Sequence, residues 1–470
     1  MTTSDSICAI CTAAGMGAIA VLRLSGSDAM AIADKVFRPM KGSRKPSEQA
    51  ARTLHYGTIV DQVGTPVDDV VISIFRGPHS YTGEDTIEIS CHGSTTVQRR
   101  ILETLICAGA RMAEPGEFTK RAFVNGKMDL SQAEAVADMI AAGSEAARRV
   151  AFNQMRGGFS HQLKELRERL IHFASLVELE LDFSEEDVEF ADRGELTMLT
   201  DEISRVVTRL ADSFRLGNAI KEGVPTAIVG APNAGKSTLL NALLCEERSI
   251  VSDIQGTTRD TIEETVNIED LTFRLIDTAG LRKTDDAIEA EGVRRSEAAA
   301  AKATVVVMMV DATGGEAMAR EAVEGIRGMI KMDGKSLIVA LNKADACEVS
   351  PSAWATSGWG REVGAECVVV MSAREGAGIE ELRSAMVSAV KGSDAGAGED
   401  VVVTNARHYE ALVRAREALT RVRSGLDAGM GGELLSVDIR EATDALASIT
   451  GEISSQDVLN NVFRNFCIGK

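Results

Sequence analysis

Eight residues limit the possible fold of this chain more than any others. Gly230-Ala-Pro-Asn-Ala-Gly-Lys-Ser237 fits the spacing G-x-x-x-x-G-K-[ST], and it lies between an apolar run, Thr226-Ala-Ile-Val229, and a helix beginning near Thr238. A loop of this kind works only as a strand-to-helix turn. Its glycines let backbone N–H groups close around phosphate oxygens, and the positive end of the following helix adds to the attraction. Lys236 is placed to neutralise the outer phosphates and to act catalytically, and the Ser237 hydroxyl to ligate Mg²⁺.

The surrounding sequence supplies the sheet that such a turn requires. Phe273-Arg-Leu-Ile276, Thr304 to Val310, Ser336 to Leu341 and Cys367 to Met371 are apolar runs separated by helical stretches. Their near-continuous apolarity predicts a doubly wound, mostly parallel sheet covered on both faces. Three further motifs follow in order at strand ends. Asp277-Thr-Ala-Gly280 offers a carboxylate on the Mg²⁺ side and a glycine N–H for a γ-phosphate. The Asp345 carboxylate of Asn342-Lys-Ala-Asp345 can accept both the ring N–H and the exocyclic amine of guanine, which adenine cannot offer. Ser372-Ala-Arg374 ends the last strand and supports the base, while Gly256-Thr-Thr-Arg-Asp260 stands where a switch threonine reaches Mg²⁺. These spacings predict a GTP-binding domain.

The hydrolytic machinery is less usual. The position after Asp277–Gly280, where Ras-like enzymes carry a water-orienting glutamine, is Leu281, which neither donates nor accepts. Asp285, Asp286, Glu289 and Glu291 are candidate carboxylates, and spacing does not choose among them. No arginine in the loop is placed as a finger, so the transition-state charge needs another cation.

A length of 470 residues suggests roughly three domains. From Ile7 to about Lys127, short β-like runs such as Ala18 to Leu22, Asp69 to Phe75 and Thr86 to Ser90 precede a helical stretch, Thr95 to Ala108, and predict a small α+β domain. From Leu130 the pattern becomes helical, with Leu163, Leu166, Leu170, Phe173 and Val177 on one face. Eight acidic residues between Glu178 and Asp192 read as an exposed acidic face. Gly392 to Gly398 reads as a flexible linker, after which Leu412, Ala415, Leu419, Val422 and Leu426 resume the helical period. The expected organisation is therefore multidomain α/β and α. It comprises an N-terminal α+β domain (1–127), a helical domain in two parts (128–222 and 393–470) and an inserted α/β domain (223–392).

Composition excludes several classes. With 51 basic and 70 acidic side chains the net charge is −19, so bulk electrostatics cannot hold nucleic acid, and RNA contact needs a local basic patch or a partner. Aromatics at 4% give little for single strands to stack on. Eight cysteines form no disulfide scaffold, and Cys8-x-x-Cys11 has no second pair at metal spacing. The apolar stretch Ile7 to Leu22 follows Asp5 and precedes the first basic residue, Arg23, which argues against a signal peptide. No run reaches the roughly 18–20 apolar residues of a membrane span, so a cytoplasmic location is expected. Gly15 and Gly17 begin a Gly-x-Gly, but position 20 is alanine, so no dinucleotide fingerprint forms.

Segments outside the α/β domain add a resemblance. Ser80-Tyr-Thr-Gly-Glu-Asp85, Glu88-Ile-Ser-Cys-His-Gly93, Pro115-Gly-Glu-Phe-Thr119, Asn125 to Glu134 and the ending Phe466-Cys-Ile-Gly-Lys470 resemble the MnmE (TrmE) family of bacterial tRNA-modification GTPases, among the TrmE-Era-EngA-like GTPases, over essentially the whole chain. One departure is Ala13-Ala-Gly-Met-Gly-Ala18, where a Pro- and Gly-rich turn with a basic residue is expected. The resemblance implies a homodimer held by the N-terminal domains and a flavoprotein partner, MnmG, in a heterotetramer or larger complex. It further implies tRNA as substrate and an aminomethyl or carboxymethylaminomethyl group installed at C5 of the wobble uridine. The carbon comes from a tetrahydrofolate derivative (5-formyl or methylene) in the N-terminal domain, with Arg23, Glu88, Lys127 and Lys470 matching the folate-contacting positions. A polar pterin edge suits a carboxylate, and glutamyl carboxylates suit lysine and arginine.

The family is also implied to be potassium-dependent, with K⁺ supplying the charge of the missing arginine finger. By resemblance Asn233, Ser252, Ile254 and Thr257 are the K⁺ ligands, Thr258 joins Ser237 on Mg²⁺, and Glu289 orients the water. The implied nucleotide contacts are Asn233, Ala234, Gly235, Lys236, Ser237 and Thr238, then Ser252, Asp253, Ile254, Gln255, Gly256, Thr257 and Thr258. Asp277, Thr278, Ala279 and Gly280 follow, then Asn342, Lys343 and Asp345, and finally Ser372, Ala373 and Arg374. Cys467, His92 and His408 are expected to be structural. The alternatives are a regulatory GTPase in ribosome assembly or signalling, and a self-sufficient folate-dependent transferase with GTP only allosteric.

Overall fold

The computed structural model describes residues 5–40, 44–182, 193–245, 264–276, 298–329, 335–391, 402–453, 456–464, 466 and 468–469. The chain divides into two compact units, one comprising residues 1–140, 153–201 and 417–470, the other 141–152 and 202–416.

In the first unit, β1 (Ile7–Ile10), β2 (Ile19–Ser25), β3 (Phe37–Pro39), β4 (Thr53–Val60), β5 (Pro66–Phe75), β6 (Thr86–His92) and β7 (Arg111–Met112) form one sheet in the order β3-β4-β5-β6-β2-β1-β7. All neighbours are antiparallel except β1 and β7. Period-2 alternation sends Leu22, Leu24, Ile72, Ile74, Ile87 and Ile89 into a core covered by the helices Ala29–Val36 and Thr95–Cys107. On the opposite face the register aligns Leu54, Ser73, Glu88 and Arg23 in one row, and Tyr56, Val71, Ser90 and Val21 in the next.

The helical part of this unit follows the expected periodicity. Leu163, Leu166, Leu170, Phe173 and Val177 are all buried on the helix Gly158–Asp182, which packs along Gly432–Thr450. The short helix Gln456–Arg464 returns the chain to the N-terminal strands' neighbourhood, with Phe463 and Phe466 packed on Leu130 and Ala133.

The second unit holds β8 (Val224–Gly230), β9 (Glu264–Ile268), β10 (Leu271–Leu275), β11 (Val305–Asp311), β12 (Ser336–Asn342) and β13 (Cys367–Val370), in the order β13-β12-β11-β8-β10-β9. The first five in that order are parallel neighbours, as their apolar runs predict. The edge strand β9 is antiparallel to β10 and is absent from the sequence expectation. Its pattern alternates, with Val266 and Ile268 buried and their neighbours partly or fully exposed, so it lacks the continuous apolarity used to find the others. Helices cover both faces of the sheet. Leu412, Ala415, Leu419, Val422 and Leu426 are buried along the helix Ala406–Asp427. The expected linker at Gly392 to Gly398 lies outside the described residues.

Candidate nucleotide-binding site

The parallel strands deliver the sequence motifs to one edge of the sheet. Gly230 ends β8 in register with Met309 of β11, Asp311 pairs with Asn342, and Leu341 pairs with Val370 just before Ser372. Ligands of open α/β sheets bind at these carboxyl ends.

The loop between β8 and the helix Lys236–Cys245 is shaped by two close approaches. A Cβ on Gly230 (φ +154°) would lie 2.4 Å from the Met309 carbonyl oxygen, and one on Gly235 (φ +98°) would lie 2.2 Å from Asn342 Nδ2. Asn233, at φ +61°, is one of four non-glycine residues with positive φ among the described residues, and Lys343 is another. Two of the four thus sit in this site, where backbone strain is held by the surrounding structure. Lys236 Nζ donates to the carbonyls of Gly230 (2.9 Å) and Ala231 (2.8 Å), curling over the loop. Burial lowers the Lys236 ammonium pKa, and an anion brought to this spot would favour its charged form and raise that pKa again. The narrow cradle, backbone-lined and with one desolvated lysine, fits a polyphosphate. Ser237 is half-buried at its helical end and Thr238 is exposed.

Asn342 ties the loops together. Its Nδ2 donates to the Ala234 carbonyl (2.8 Å), and its Oδ1 accepts from the Ala373 amide (2.9 Å), all three residues being buried. A single amide thereby fixes the cradle to the Ser372–Arg374 segment. The Ala344 amide donates to the Met371 carbonyl (3.1 Å), closing the same corner from the other side. Asp345 is exposed, within the short turn Ala344–Ala346, while Ser372 is buried and Arg374 exposed. Lys343 Nζ reaches Asp311 Oδ2 at 2.5 Å. Ser252, Asp253, Ile254, Gln255, Gly256, Thr257, Thr258, Asp277, Thr278, Ala279, Gly280 and Glu289 lie outside the described residues.

The N-terminal unit holds a second constellation. Arg23 on β2 stands directly opposite Glu88 on β6, donating from Nε (3.0 Å) and Nη2 (2.8 Å) to Oε1. Its guanidinium lies 4.8 Å from the Tyr81 ring centroid and 5.5 Å from that of Phe118. Arg23 Nη1 is buried with no hydrogen-bond partner among the described residues, a donor suited to a polar ligand. Burial raises the Tyr81 phenol pKa, and its hydroxyl meets Thr119 Oγ1 at 2.9 Å. Cys11 Sγ donates to the Gly469 carbonyl (3.2 Å), placing the C-terminal turn beside β1. Lys127 is not brought to the Arg23–Glu88 pair by any contact seen here; its Nζ donates to the Pro78 carbonyl. Lys470 and Cys467 lie outside the described residues. Tyr81 and Phe118 were missed as neighbours of Arg23, although both lie in the sequence segments singled out above.

The two histidines have local partners. His92 Nδ1 and Asp68 Oδ1 are 2.8 Å apart, and His408 is buried with Nε2 3.0 Å from Arg407 Nη2. No group of three or more His, Cys, Asp or Glu side chains among the described residues has metal-site geometry, and no described helix is long and apolar enough to cross a membrane.

Fold and loops together define a P-loop nucleotide-binding protein whose base-reading corner has the GTPase pattern. Family models agree along the chain: one described as the GTP-binding protein TrmE N-terminus matches residues 6–127, and one described as the MnmE helical domain matches residues 130–467. A tRNA modification GTPase MnmE of Parabacteroides distasonis is 50% identical, covering 99% of this chain and all of its own length. Its counterpart in Flavobacterium johnsoniae is 48% identical over the full length of both, and one in Bacteroides fragilis is 50% identical over 99% of each. The chain belongs to the MnmE family of tRNA modification GTPases.

Proposed function

We propose that this chain is the GTP-hydrolysing subunit of a complex that adds an aminomethyl or carboxymethylaminomethyl group to C5 of the wobble uridine of certain tRNAs. The observation that carries the nucleotide half is the Asn342 bridge, which joins the Ala234 carbonyl of the cradle to Ala373 of the base-side loop. Lys236 neutralises phosphate charge, Asp345 reads the guanine edge, and Glu289 orients the attacking water. Ser237 and Thr258 would hold Mg²⁺, and Asn233, Ser252, Ile254 and Thr257 would hold K⁺. These ions supply positive charge to the phosphates where no arginine does.

The folate half rests on Arg23 and Glu88, with Lys127 and Lys470 as further contacts. The orphaned Arg23 Nη1 and the Tyr81 and Phe118 rings offer a hydrogen-bond donor and flat apolar surface, which suit a pterin. A tetrahydrofolate derivative bound there supplies the one-carbon unit, and a flavoprotein partner of the MnmG type supplies the redox chemistry. Exposed Leu54 and Tyr56 on the open face of the N-terminal sheet suit a homodimer contact. The domain limits proposed are 1–127, 128–222, 223–392 and 393–470, and the place of action is the cytoplasm.

The test is nucleoside mass spectrometry of tRNA after incubation with this chain, the flavoprotein partner, a folate donor, GTP and K⁺. The modified uridine should appear, and replacing K⁺ by Na⁺ should reduce its yield together with GTP turnover. Turnover of GTP with no modified uridine under any of these conditions contradicts the modification role.

A further inference from the structure

We propose that Asp311, at the end of β11, is a positioning residue for nucleotide recognition. It fixes the Lys343 ammonium and so lays the Lys343 stem across the strand ends as a wall of the base site. The inference rests on the nucleotide-binding reading above. The two Asp311 oxygens have separate tasks. Oδ1 accepts from the Thr313 amide (3.0 Å) and the Thr313 hydroxyl (2.7 Å), which hold the carboxylate in one orientation within its own loop. Oδ2 is then directed at Lys343 Nζ, 2.5 Å away.

Register and backbone explain why this lysine can be reached. Asp311 pairs with Asn342, so Lys343 is the next residue beyond the paired position, and its left-handed backbone (φ 63°, ψ 34°) turns the chain there. In the sheet β11 lies between β12 and β8. A side chain that starts after β12 and ends on Asp311 therefore runs toward the side of the phosphate cradle. Two consecutive residues of one loop are thus anchored, Asn342 to the Ala234 carbonyl and Lys343 to Asp311. The four-carbon stem is an apolar ledge for the flat face of a purine. An ammonium already held costs less ordering when the ligand arrives than one that must be immobilised on binding. Burial alone would raise the Asp311 carboxyl pKa, but the bonds from Lys343 and Thr313 outweigh it and hold it below the ordinary value, so the anchor is charged near neutral pH.

The experiment uses the full chain, with GDP binding by calorimetry and steady-state GTP turnover, on Asp311→Asn, Lys343→Met, the double variant and Thr313→Val. Asp311→Asn should weaken GDP about fivefold, the upper end for losing an ion pair whose side chains are each more than a third exposed, and should raise KM more than it lowers kcat. In the Lys343→Met background the same change should alter GDP affinity less than about twofold, because the two residues act as one unit. Thr313→Val releases only part of the carboxylate, should cost about threefold in KM, and serves if Asp311→Asn does not fold. Wild-type GDP affinity in Asp311→Asn, additive losses in the double variant, or an unchanged KM in Thr313→Val would each overturn the assignment. A wild-type chain that binds no GDP overturns the nucleotide reading itself, which separates the two failures.

Discussion

At Gly235 the backbone has φ +98°, and an added Cβ would meet Asn342 Nδ2 at 2.2 Å. Alanine there must adopt a conformation costing about 1–3 kcal/mol and also displace the amide that ties the cradle to Ala373. Gly235→Ala should therefore weaken GDP binding by roughly 10–100-fold, with far-ultraviolet circular dichroism unchanged; calorimetry gives the measurement. Arg121 poses a different problem. Its side chain is 3% exposed, and it binds Glu84, Glu117 and the Asp5 carboxylate. Arg121→Met leaves the half-buried Glu84 without its cation, while Asp5 and Glu117 keep Arg111, and should destabilise the N-terminal unit by about 3 kcal/mol, read by chemical denaturation.

The same cluster fixes the sign of an acid response. Burial would raise the Glu117 pKa, yet the bonds from Arg111, the Glu114 amide and Arg121 prevail and hold it below its ordinary 4.5. Arg111 lowers Asp5 below 3.8, although Asp5 is half exposed and solvent screens its share. Groups depressed in the native state stabilise it fully above their ordinary values, and that contribution is lost as pH falls through the native ones. The melting temperature of the wild-type chain should hold above about pH 5 and fall steadily below about 4.5, with a shallower slope in Arg121→Met.

At the scale of elements, the parallel strands and their terminal motifs were legible because each is a local pattern: an apolar run followed by a loop of fixed spacing. The cradle needs only Gly230–Ser237 and its flanks. Long-range partnerships were not legible. The Asn342 bridge and the Asp311–Lys343 pair depend on the β11–β12 register, which no local window contains. The Arg121 cluster draws on Asp5, Glu84 and Glu117, which come together only after β1 has paired with β2 and β7. Arg23 opposite Glu88 is likewise a consequence of β2–β6 register, and the rings that flank it come from a loop and a helix. Lys127, matched to the same ligand by resemblance, donates to the Pro78 carbonyl. The β9 edge was missed because alternation over five residues is a weaker signal than a continuous apolar run.

At the scale of the molecule, the unit that carries the cradle is contributed by residues 141–152 and 202–416, with chain of the other unit before, between and after. Both tryptophans of the sequence, Trp354 and Trp359, belong to it and pack edge to face with centroids 5.1 Å apart. Intrinsic tryptophan fluorescence therefore reports on the nucleotide-binding unit alone. A net charge of −19 leaves polynucleotide affinity to local patches and partners, and the proposed function gives this chain GTP as its own ligand. That claim turns on Asp345 reading the guanine edge while Lys236 holds the phosphates. Calorimetric titration of GDP and xanthosine diphosphate into the wild-type chain and Asp345→Asn tests it, because an asparagine amide donates to the xanthine oxygen where the carboxylate accepted from the guanine amine. Wild type should prefer GDP by roughly 100-fold or more, and the variant should reverse that preference. Equal affinity for the two nucleotides in the wild-type chain, or an unaltered preference in the variant, would contradict it.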